Sequence, residues 1–132
     1  MQVIDPGTGN LIDSGKYVSV KYTGTSFSGK MFDSNIDTSF HHTEPISFVV
    51  GTGQMVKGFD ESVMFMRLGT RARVYIPSML AYGGNPGTQL IKPYEHIMFD
   101  MTVTDVQNES PKQKNLEQQK EKLDKAQSKK TN

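Results

Sequence analysis

Apolar and polar residues alternate in three segments of the chain, 17–23, 70–76 and 97–106. In each segment apolar residues recur at alternate positions, so one face of an extended strand would be buried and the other would meet solvent. This is typical of antiparallel sheets. The apolar segment 46–50 predicts a further strand, and residues 27–32, with a glycine at their centre, predict a hairpin. The pattern therefore predicts about five antiparallel strands.

One short helix is predicted directly after the strand 46–50. The stretch 51–61 passes through two glycines and then places apolar residues three and four positions apart, on one helical face. These apolar residues are Val56, Phe59, Val63 and Met66. Leu68-Gly69 is a plausible end for the helix. A single helix among strands is expected to lie across the sheet, so the pattern predicts an α+β domain in which helix and sheet enclose one core.

The chain divides into a folded domain over residues 1–106 and a polar tail over residues 107–132. The tail contains no aromatic residue and is rich in lysine and glutamine. Ser110 is suited to cap a helix that begins at Pro111, but two leucines one heptad apart do not make a coiled coil. The tail is interpreted as disordered or as a single solvated helix. A helix that packs on a partner or on the domain is the alternative.

Two connections show no period. Residues 35–45, which include His41-His42, are interpreted as a loop or bulge that interrupts a strand. Residues 78–96 are rich in glycine and proline, and a connection of this length in a compact domain is usually functional or mobile.

Composition and charge exclude several classes of function. The chain has no cysteine, which excludes disulfides and thiolate metal sites. Residues 1–106 carry 8 basic and 10 acidic residues, a net charge of −2, whereas residues 107–132 carry 7 lysines and 4 acids, a net charge of +3. A slightly acidic domain argues against nucleic-acid binding, and no apolar run reaches the length of a membrane span.

The sequence says little about the cellular compartment or the oligomeric state of the protein. The N-terminus lacks the features of a signal peptide, so the cytoplasm is expected if the chain is complete, and the bacterial envelope or periplasm if a signal has been trimmed. Beyond the weak pattern of the tail nothing suggests a dimer, and a monomer is expected.

Residues for bond-breaking chemistry do not form a recognisable motif. There is no Gly-x-Ser-x-Gly elbow, and none of the three histidines stands with an acid and a serine in a familiar context. His41, His42 and Glu44 lie close in sequence, but adjacent residues of an extended loop point apart, so a polar loop is preferred to a metal site. No metal ion or cofactor is expected.

Aromatic and aliphatic residues next to turns are the remaining candidates. For each of them alone, core packing is the simpler explanation. Tyrosine, however, favours places where an apolar environment meets a polar partner. Asp33 directly follows Phe32, and a carboxylate beside a large aromatic ring must be solvated or held by hydrogen bonds.

Eight short runs of this chain occur in an order that closely resembles the FKBP-type peptidyl-prolyl cis-trans isomerases. They are Val20-Lys-Tyr-Thr-Gly24, Gly29-Lys-Met-Phe-Asp-Ser34, Phe48-Val-Val-Gly51, Val56-Lys-Gly-Phe-Asp60, Ile76-Pro77, Ala81-Tyr-Gly83, Leu90-Ile91 and Met98-Phe-Asp100. Each run alone is weak, but eight in order with compatible gaps are strong. The resemblance covers nearly all of residues 1–106 and none of the tail.

The resemblance implies a curved antiparallel sheet wrapped around one short helix, with a pocket that binds proline-containing polypeptides. Three residues are expected to act in catalysis, Asp33, Phe59 and Tyr82. The residues expected to bind substrate around them are Tyr22, Phe32, Ile46, Met55, Val56, Leu90, Ile91 and Phe99. By the same resemblance, the Val56 N–H and the Tyr82 hydroxyl bond carbonyl groups of the substrate, or of macrolide inhibitors of the FK506/rapamycin type.

Two departures from the family pattern change the expected site. The pocket floor is commonly tryptophan in the family, whereas this chain offers Phe59, which keeps an aromatic face but lacks the area and the N–H of an indole. The stretch from Asp33 to Pro45 is longer than in compact members, which reshapes the rim. The implied activity is isomerisation of X-Pro bonds in protein folding. The alternative is a catalytically weak module that binds proline peptides or proteins as a chaperone or scaffold.

Overall fold

A computed structural model describes the backbone of residues 1–130 and the side chains of residues 1–125. The elements in chain order are β1 (Gln2–Asp5), β2 (Tyr17–Ser26), β3 (Met31–Ser34), a 3-10 turn (Thr38–Phe40), β4 (Ile46–Val49), α1 (Lys57–Val63), β5 (Arg71–Ile76), a second 3-10 turn (Ser78–Leu80), β6 (Ile97–Gln107) and α2 (Pro111–Lys130). The α+β class predicted from the sequence is confirmed, with a curved sheet and α1 packed against β5.

The sheet has six antiparallel strands rather than about five. Its order is β1-β5-β6-β2-β3, and β4 pairs with β2 as well. The additional strand is β1, which lies at the edge of the sheet and pairs with β5. All four of its residues are exposed, so it has no buried face and leaves no alternating pattern in the sequence.

The long strand β2 holds β3 and β4 side by side along one edge. Its second half pairs with β3, through Thr23 and Gly24, and its first half pairs with β4 over residues 17–20. The segment 35–45 joins these two short strands. The prediction that a loop interrupts a strand here is therefore confirmed, and the loop leaves the sheet next to the end of β3.

Alternation correctly predicted which residues of the three long strands are buried. In β5 every second residue is buried, and in β6 burial alternates from Ile97 to Val103. Across the sheet lies α1, whose Gly58 approaches it closely: a β-carbon added there would lie 2.4 Å from Cγ2 of the buried Ile76. A glycine therefore allows the helix to pack on β5 at this distance.

The helix is shorter than the spacing predicted. It ends at Val63, and the next turns are tighter, with the Phe65 and Met66 N–H groups donating to carbonyls three residues back. Such i→i−3 bonds are typical of 3-10 turns at helix ends. Met66 is nevertheless fully buried. The periodicity was thus right about which side chains reach the core and wrong about how far the helix extends.

The tail forms a second helix, α2. The Ser110 hydroxyl accepts a hydrogen bond from the Gln113 N–H at 3.2 Å, as expected of the capping residue. Every described side chain from Pro111 to Lys125 is exposed. Among the described residues, no helix is both long and apolar enough to cross a membrane.

Candidate functional site

Four aromatic rings from four different elements meet between α1 and the sheet. Phe59 of α1 lies edge-to-face with Phe99 of β6 at 4.9 Å between ring centroids, and with Tyr22 of β2 at 5.7 Å. Phe32 of β3 meets Phe99 in the same way at 5.6 Å. Edge-to-face contacts are the favourable geometry for aromatic quadrupoles. We call these four rings the aromatic cluster.

The ring of Tyr82 joins the cluster from the long connection before β6. Its centroid lies 5.9 Å from that of Phe32, edge-to-face. Tyr82 follows the 3-10 turn Ser78–Leu80 and is half-buried. The connection 78–96 therefore brings a tyrosine to the rim of the aromatic cluster.

Phe59 forms the deepest layer of the cluster. Its side chain has 0% of its surface exposed, whereas Tyr22 and Phe32 keep 4% and 8%. Tyr22, Phe48 and Phe99 all contact its ring. All four rings of the cluster are therefore buried, and Phe59 is the most completely buried of them.

The cluster is packed so tightly that one strand position has to be glycine. A β-carbon on Gly24 would lie 2.6 Å from Cζ of Phe32 and 2.8 Å from Cε1 of Phe99. Contacts this short are not tolerated between carbon atoms, so a side chain here would push two of the four rings apart. Gly24 in β2 therefore sets the positions of both phenylalanines.

Asp33 lies at the polar edge of the cluster and is held from two sides. The Tyr22 hydroxyl donates to its Oδ2 at 2.6 Å, and Nε2 of His42 lies 2.8 Å from its Oδ1. The Ser34 N–H also donates to Oδ1, at 2.9 Å. About a third of the carboxylate side chain, 37%, remains exposed. Hydrogen bonds and partial solvation together satisfy the charge that the sequence placed beside Phe32.

The two tyrosines of the site stay protonated at neutral pH. Burial raises the pKa of Tyr22 well above its ordinary value, and the hydrogen bond to Asp33 raises it further. Burial also raises the pKa of Tyr82, with the negative charge of Asp33 as a second cause. The Tyr22 hydroxyl donates its proton to Asp33, and the Tyr82 hydroxyl keeps a proton that it can donate.

A buried asparagine fixes the backbone of Tyr22. Oδ1 of Asn35 accepts from the Tyr22 N–H at 2.7 Å, and its Nδ2 donates to the Val20 carbonyl at 2.9 Å. The Asn35 N–H donates to the Tyr22 carbonyl at 3.1 Å. Asn35 is 1% exposed. Its side-chain amide makes the hydrogen bonds to β2 that a neighbouring strand would otherwise make, at the point where the chain leaves β3 for the loop. Sequence reasoning did not single out Asn35.

The glycines before α1 are held by an acid of the helix itself. The carboxylate of Asp60 accepts from the Gly51 N–H at 2.7 Å and from the Gly53 N–H at 3.1 Å. Asp60 is 6% exposed. It ties the turn 51–55 to the first turn of α1, and so it positions Met55 and Val56, which are half-buried and pack against the core.

The other residues expected to bind substrate differ in how far they are buried. Ile46 begins β4, is half-buried and packs against the core. Ile91 is 3% exposed and belongs to the core, whereas the side chain of Leu90 is 43% exposed at the surface. Apart from Leu90, the residues expected to bind substrate therefore lie in the buried core or pack against it.

His42 is the contact that sequence reasoning missed. The loop 35–45 was interpreted as polar and without chemistry, yet it carries His42 back to Asp33. The two residues are nine positions apart, and the intervening loop has no period from which the contact could be predicted.

A separate apolar groove of about 360 Å³ lies between α1 and β5. Phe65, Tyr75, Pro77 and Leu80 are among its lining residues. None of the residues expected in catalysis or substrate binding lines it.

Comparison with known proteins supports one family. Residues 9–104 match the family model described as FKBP-type peptidyl-prolyl cis-trans isomerase. FK506-binding protein 2 of Dictyostelium discoideum is 35% identical over 88 residues, which cover 67% of this chain and 63% of that protein. FK506-binding protein 1 of Saccharomyces cerevisiae is 37% identical over 106 residues, which cover 78% of this chain and 88% of that protein.

A solved structure agrees with these sequence matches. FkpA from Escherichia coli superposes with a TM-score of 0.67 at 32% identity, covering 80% of this chain and 46% of the FkpA chain. The chain thus spans less than two thirds of the Dictyostelium protein and less than half of FkpA. Residues 9–104, which match the family model, contain α1 and every residue of the aromatic cluster, and this chain belongs to the FKBP-type peptidyl-prolyl cis-trans isomerase family.

Proposed function

We propose that this chain catalyses cis–trans isomerisation of X-Pro peptide bonds in polypeptides and so assists protein folding. The observation that carries the proposal is the aromatic cluster with the Asp33 carboxylate held at its edge. It combines an apolar surface suited to a proline ring with a few fixed polar groups. Such a combination is typical of small-ligand sites.

Isomerisation requires no bond to be made or broken. Rotation about a peptide bond has a barrier of about 18–20 kcal/mol, and X-Pro bonds isomerise in tens to hundreds of seconds unaided. The planar amide is more polar than the twisted one, because twisting removes resonance. An apolar site therefore favours the twisted form and acts by binding the transition state more tightly than the substrate.

Each group of the site has a role in this mechanism. Tyr22 and Phe99, supported from below by Phe59, form the apolar surface for the proline ring. The Tyr82 hydroxyl and the Val56 N–H position the carbonyl groups of the peptide. Asp33 provides a fixed negative group near the twisting carbonyl. It does not need to transfer a proton, because rotation involves none.

Proline-containing polypeptides are the proposed substrates, and macrolides that occupy the same surface are proposed inhibitors. Two of the relatives are named as FK506-binding proteins. Phe59 presents less area than a tryptophan would and has no N–H. We therefore expect macrolides of this type to bind, with lower affinity than to a family member that carries tryptophan at this position.

The test is a protease-coupled X-Pro isomerisation assay on the wild type and on Asp33→Ala. The variant should lower kcat/KM by about tenfold, equivalent to about 1.4 kcal/mol of transition-state stabilisation, without loss of the fold. Glu44→Ala is the matched control, because it removes another exposed carboxylate from the neighbouring loop. It should behave as wild type.

The same assay separates the enzyme from a module that only binds. The complete burial of Phe59 is the observation that favours the module, because it leaves less accessible aromatic surface at the floor. A folded wild-type protein that binds proline peptides and leaves the isomerisation rate unchanged would contradict the proposed activity and support a binding role.

A further inference from the structure

The two oxygens of the Asp33 carboxylate are held by groups of different character. Oδ2 accepts from the Tyr22 hydroxyl, which belongs to the buried cluster. Oδ1 faces Nε2 of His42 at 2.8 Å, and the His42 side chain is 47% exposed. One partner is thus fixed by core packing. The other is an imidazole on an exposed loop that is open to protons from solvent.

The local structure of the loop 35–45 places His42 beside Asp33. The Asp37 carboxylate caps the 3-10 turn Thr38–Phe40 by accepting from the Ser39 N–H at 2.9 Å. His41 ends this turn with a φ of 63° in the left-handed region, and its N–H donates to the Thr38 carbonyl at 3.1 Å. The left-handed residue reverses the chain direction, and the ring of His42 comes to 6.5 Å from that of Tyr22.

We propose that His42 is a positioning residue for Asp33, and that its protonation strengthens the hold on this carboxylate and increases turnover at the site. This inference rests on the proposed isomerase function. A protonated imidazole donates from Nε2 in every case and adds a positive charge. A neutral imidazole donates from Nε2 in only one of its two tautomers. Lower pH therefore favours the state in which Oδ1 accepts from His42 as well as from the Ser34 N–H.

Other titratable groups face this pair from neighbouring elements. Tyr22 faces it from β2, and Tyr82 faces Asp33 from the connection 78–96. Because the pKa of each phenol is raised, both stay neutral between pH 5 and 8. On the loop itself, Asp37 is engaged with Ser39. Histidine is the side-chain type that changes charge in this range, so among the described groups that face Asp33 the pH response is assigned to His42.

The size of the change in kcat/KM with pH follows from the solvent exposure of His42 and Asp33. Ion pairs in contact with solvent contribute little, because water and salt screen them. We expect kcat/KM for an X-Pro peptide to rise about two- to fivefold between pH 8 and pH 6.

Two substitutions of His42 separate charge from hydrogen bonding. His42→Gln keeps an amide donor and does not titrate, and His42→Arg keeps a permanent positive charge. The first should give a flat pH profile near the wild-type value at pH 8, and the second a flat profile near the wild-type value at pH 6. A structural role of the loop alone would lower activity without changing the shape of the profile. The control is His41→Asn, because asparagine tolerates a positive φ. It should keep the wild-type pH dependence.

A second readout does not depend on catalysis. The carboxyl ¹³C resonance of Asp33 should move together with the ring resonances of His42 between pH 5 and 8, and it should not move over this range in His42→Gln. Retention of the wild-type pH profile in His42→Gln, or an Asp33 resonance that ignores His42, would overturn the inference. If the folded wild type shows no isomerase activity at any pH, the proposed function fails. The inference about His42 is then decided by the Asp33 resonance and by the pH dependence of proline-peptide affinity.

Discussion

Tyr22 belongs to both the apolar and the polar part of the site. Its ring packs edge-to-face on Phe59 and Phe99, and its hydroxyl donates to Asp33 at 2.6 Å. Its backbone is held by the side chain of Asn35. A change at Tyr22 is therefore expected to affect the stability of the cluster and the position of the carboxylate together.

The raised pKa of Tyr22 predicts how stability depends on alkaline pH. In the unfolded chain a tyrosine loses its proton near pH 10, whereas the folded protein holds this proton to higher pH. The stabilisation is therefore complete below pH 10 and is lost as the pH rises further. Urea denaturation between pH 9 and 11 should show a steeper loss of unfolding free energy in wild type than in Tyr22→Phe. Measurements at pH 7 provide the reference for each protein, and equal slopes would contradict the assignment.

The burial of Phe59 predicts that removal of its ring lowers the stability of the protein as well as its activity. Its ring has no exposed surface and contacts three other aromatic residues. Removal of a buried phenylalanine leaves a cavity, so Phe59→Ala should lower the free energy of unfolding by about 3–5 kcal/mol. Phe65→Ala is the matched control, since this phenylalanine is 69% exposed. It should change stability by less than about 1 kcal/mol. A similar loss in both variants would show that Phe59 is not the centre of the core.

At the scale of elements, the position of α1 depends on Asp60. Its carboxylate accepts from two N–H groups of the preceding turn, those of Gly51 and Gly53. Asp60→Ala removes the buried acceptor of both donors. It should lower the unfolding free energy by about 2–3 kcal/mol. Glu61→Ala is the control, because Glu61 is exposed on the same helix and has only a loose pair with Lys57 at 3.9 Å. It should change stability by no more than about 0.5 kcal/mol.

Where one face of an element is buried, the sequence was sufficient to predict it. The alternation in 70–76 and 97–106 follows the pleat of β5 and β6, because a polar residue on the inner face would lose its hydration. The apolar spacing around Phe59 identified the buried face of α1 for the same reason. The edge strand β1 has no buried face, and it left no such pattern.

Contacts that depend on loop geometry could not be predicted from the sequence. His42 reaches Asp33 because His41 adopts a left-handed conformation, and no period in residues 35–45 encodes that turn. The case of Leu90 and Ile91 is similar. The two residues are adjacent and both apolar, but the backbone of the connection decides that Ile91 is buried and Leu90 is exposed. Local hydrophobicity alone does not separate them.

At the scale of the molecule, the two parts of the chain carry net charges of opposite sign. Residues 1–106 carry a net charge of −2 and residues 107–132 a net charge of +3. The described side chains of α2, up to Lys125, are all exposed. Among the described residues, Lys16 Nζ donates to Asn108 Oδ1 at 2.7 Å, which joins the two regions, and Lys114 Nζ donates to Gln107 Oε1 at 3.4 Å, which joins α2 to the end of β6.

These contacts predict that the domain folds independently of α2. Truncation after Ser110 keeps all of β6 and the bond from Lys16 to Asn108. Because no described side chain of α2 is buried, the unfolding free energy should change by less than about 0.5 kcal/mol.

The opposite charges of the two regions could attract each other at low ionic strength, but salt screens such attraction beyond about 10 Å at 0.1 M. The comparison by urea denaturation is therefore made at low salt and at about 0.5 M salt. A loss above about 1 kcal/mol that persists at high salt would show that α2 packs on the domain through apolar contacts. A loss confined to low salt would show that the charges alone hold the two regions together.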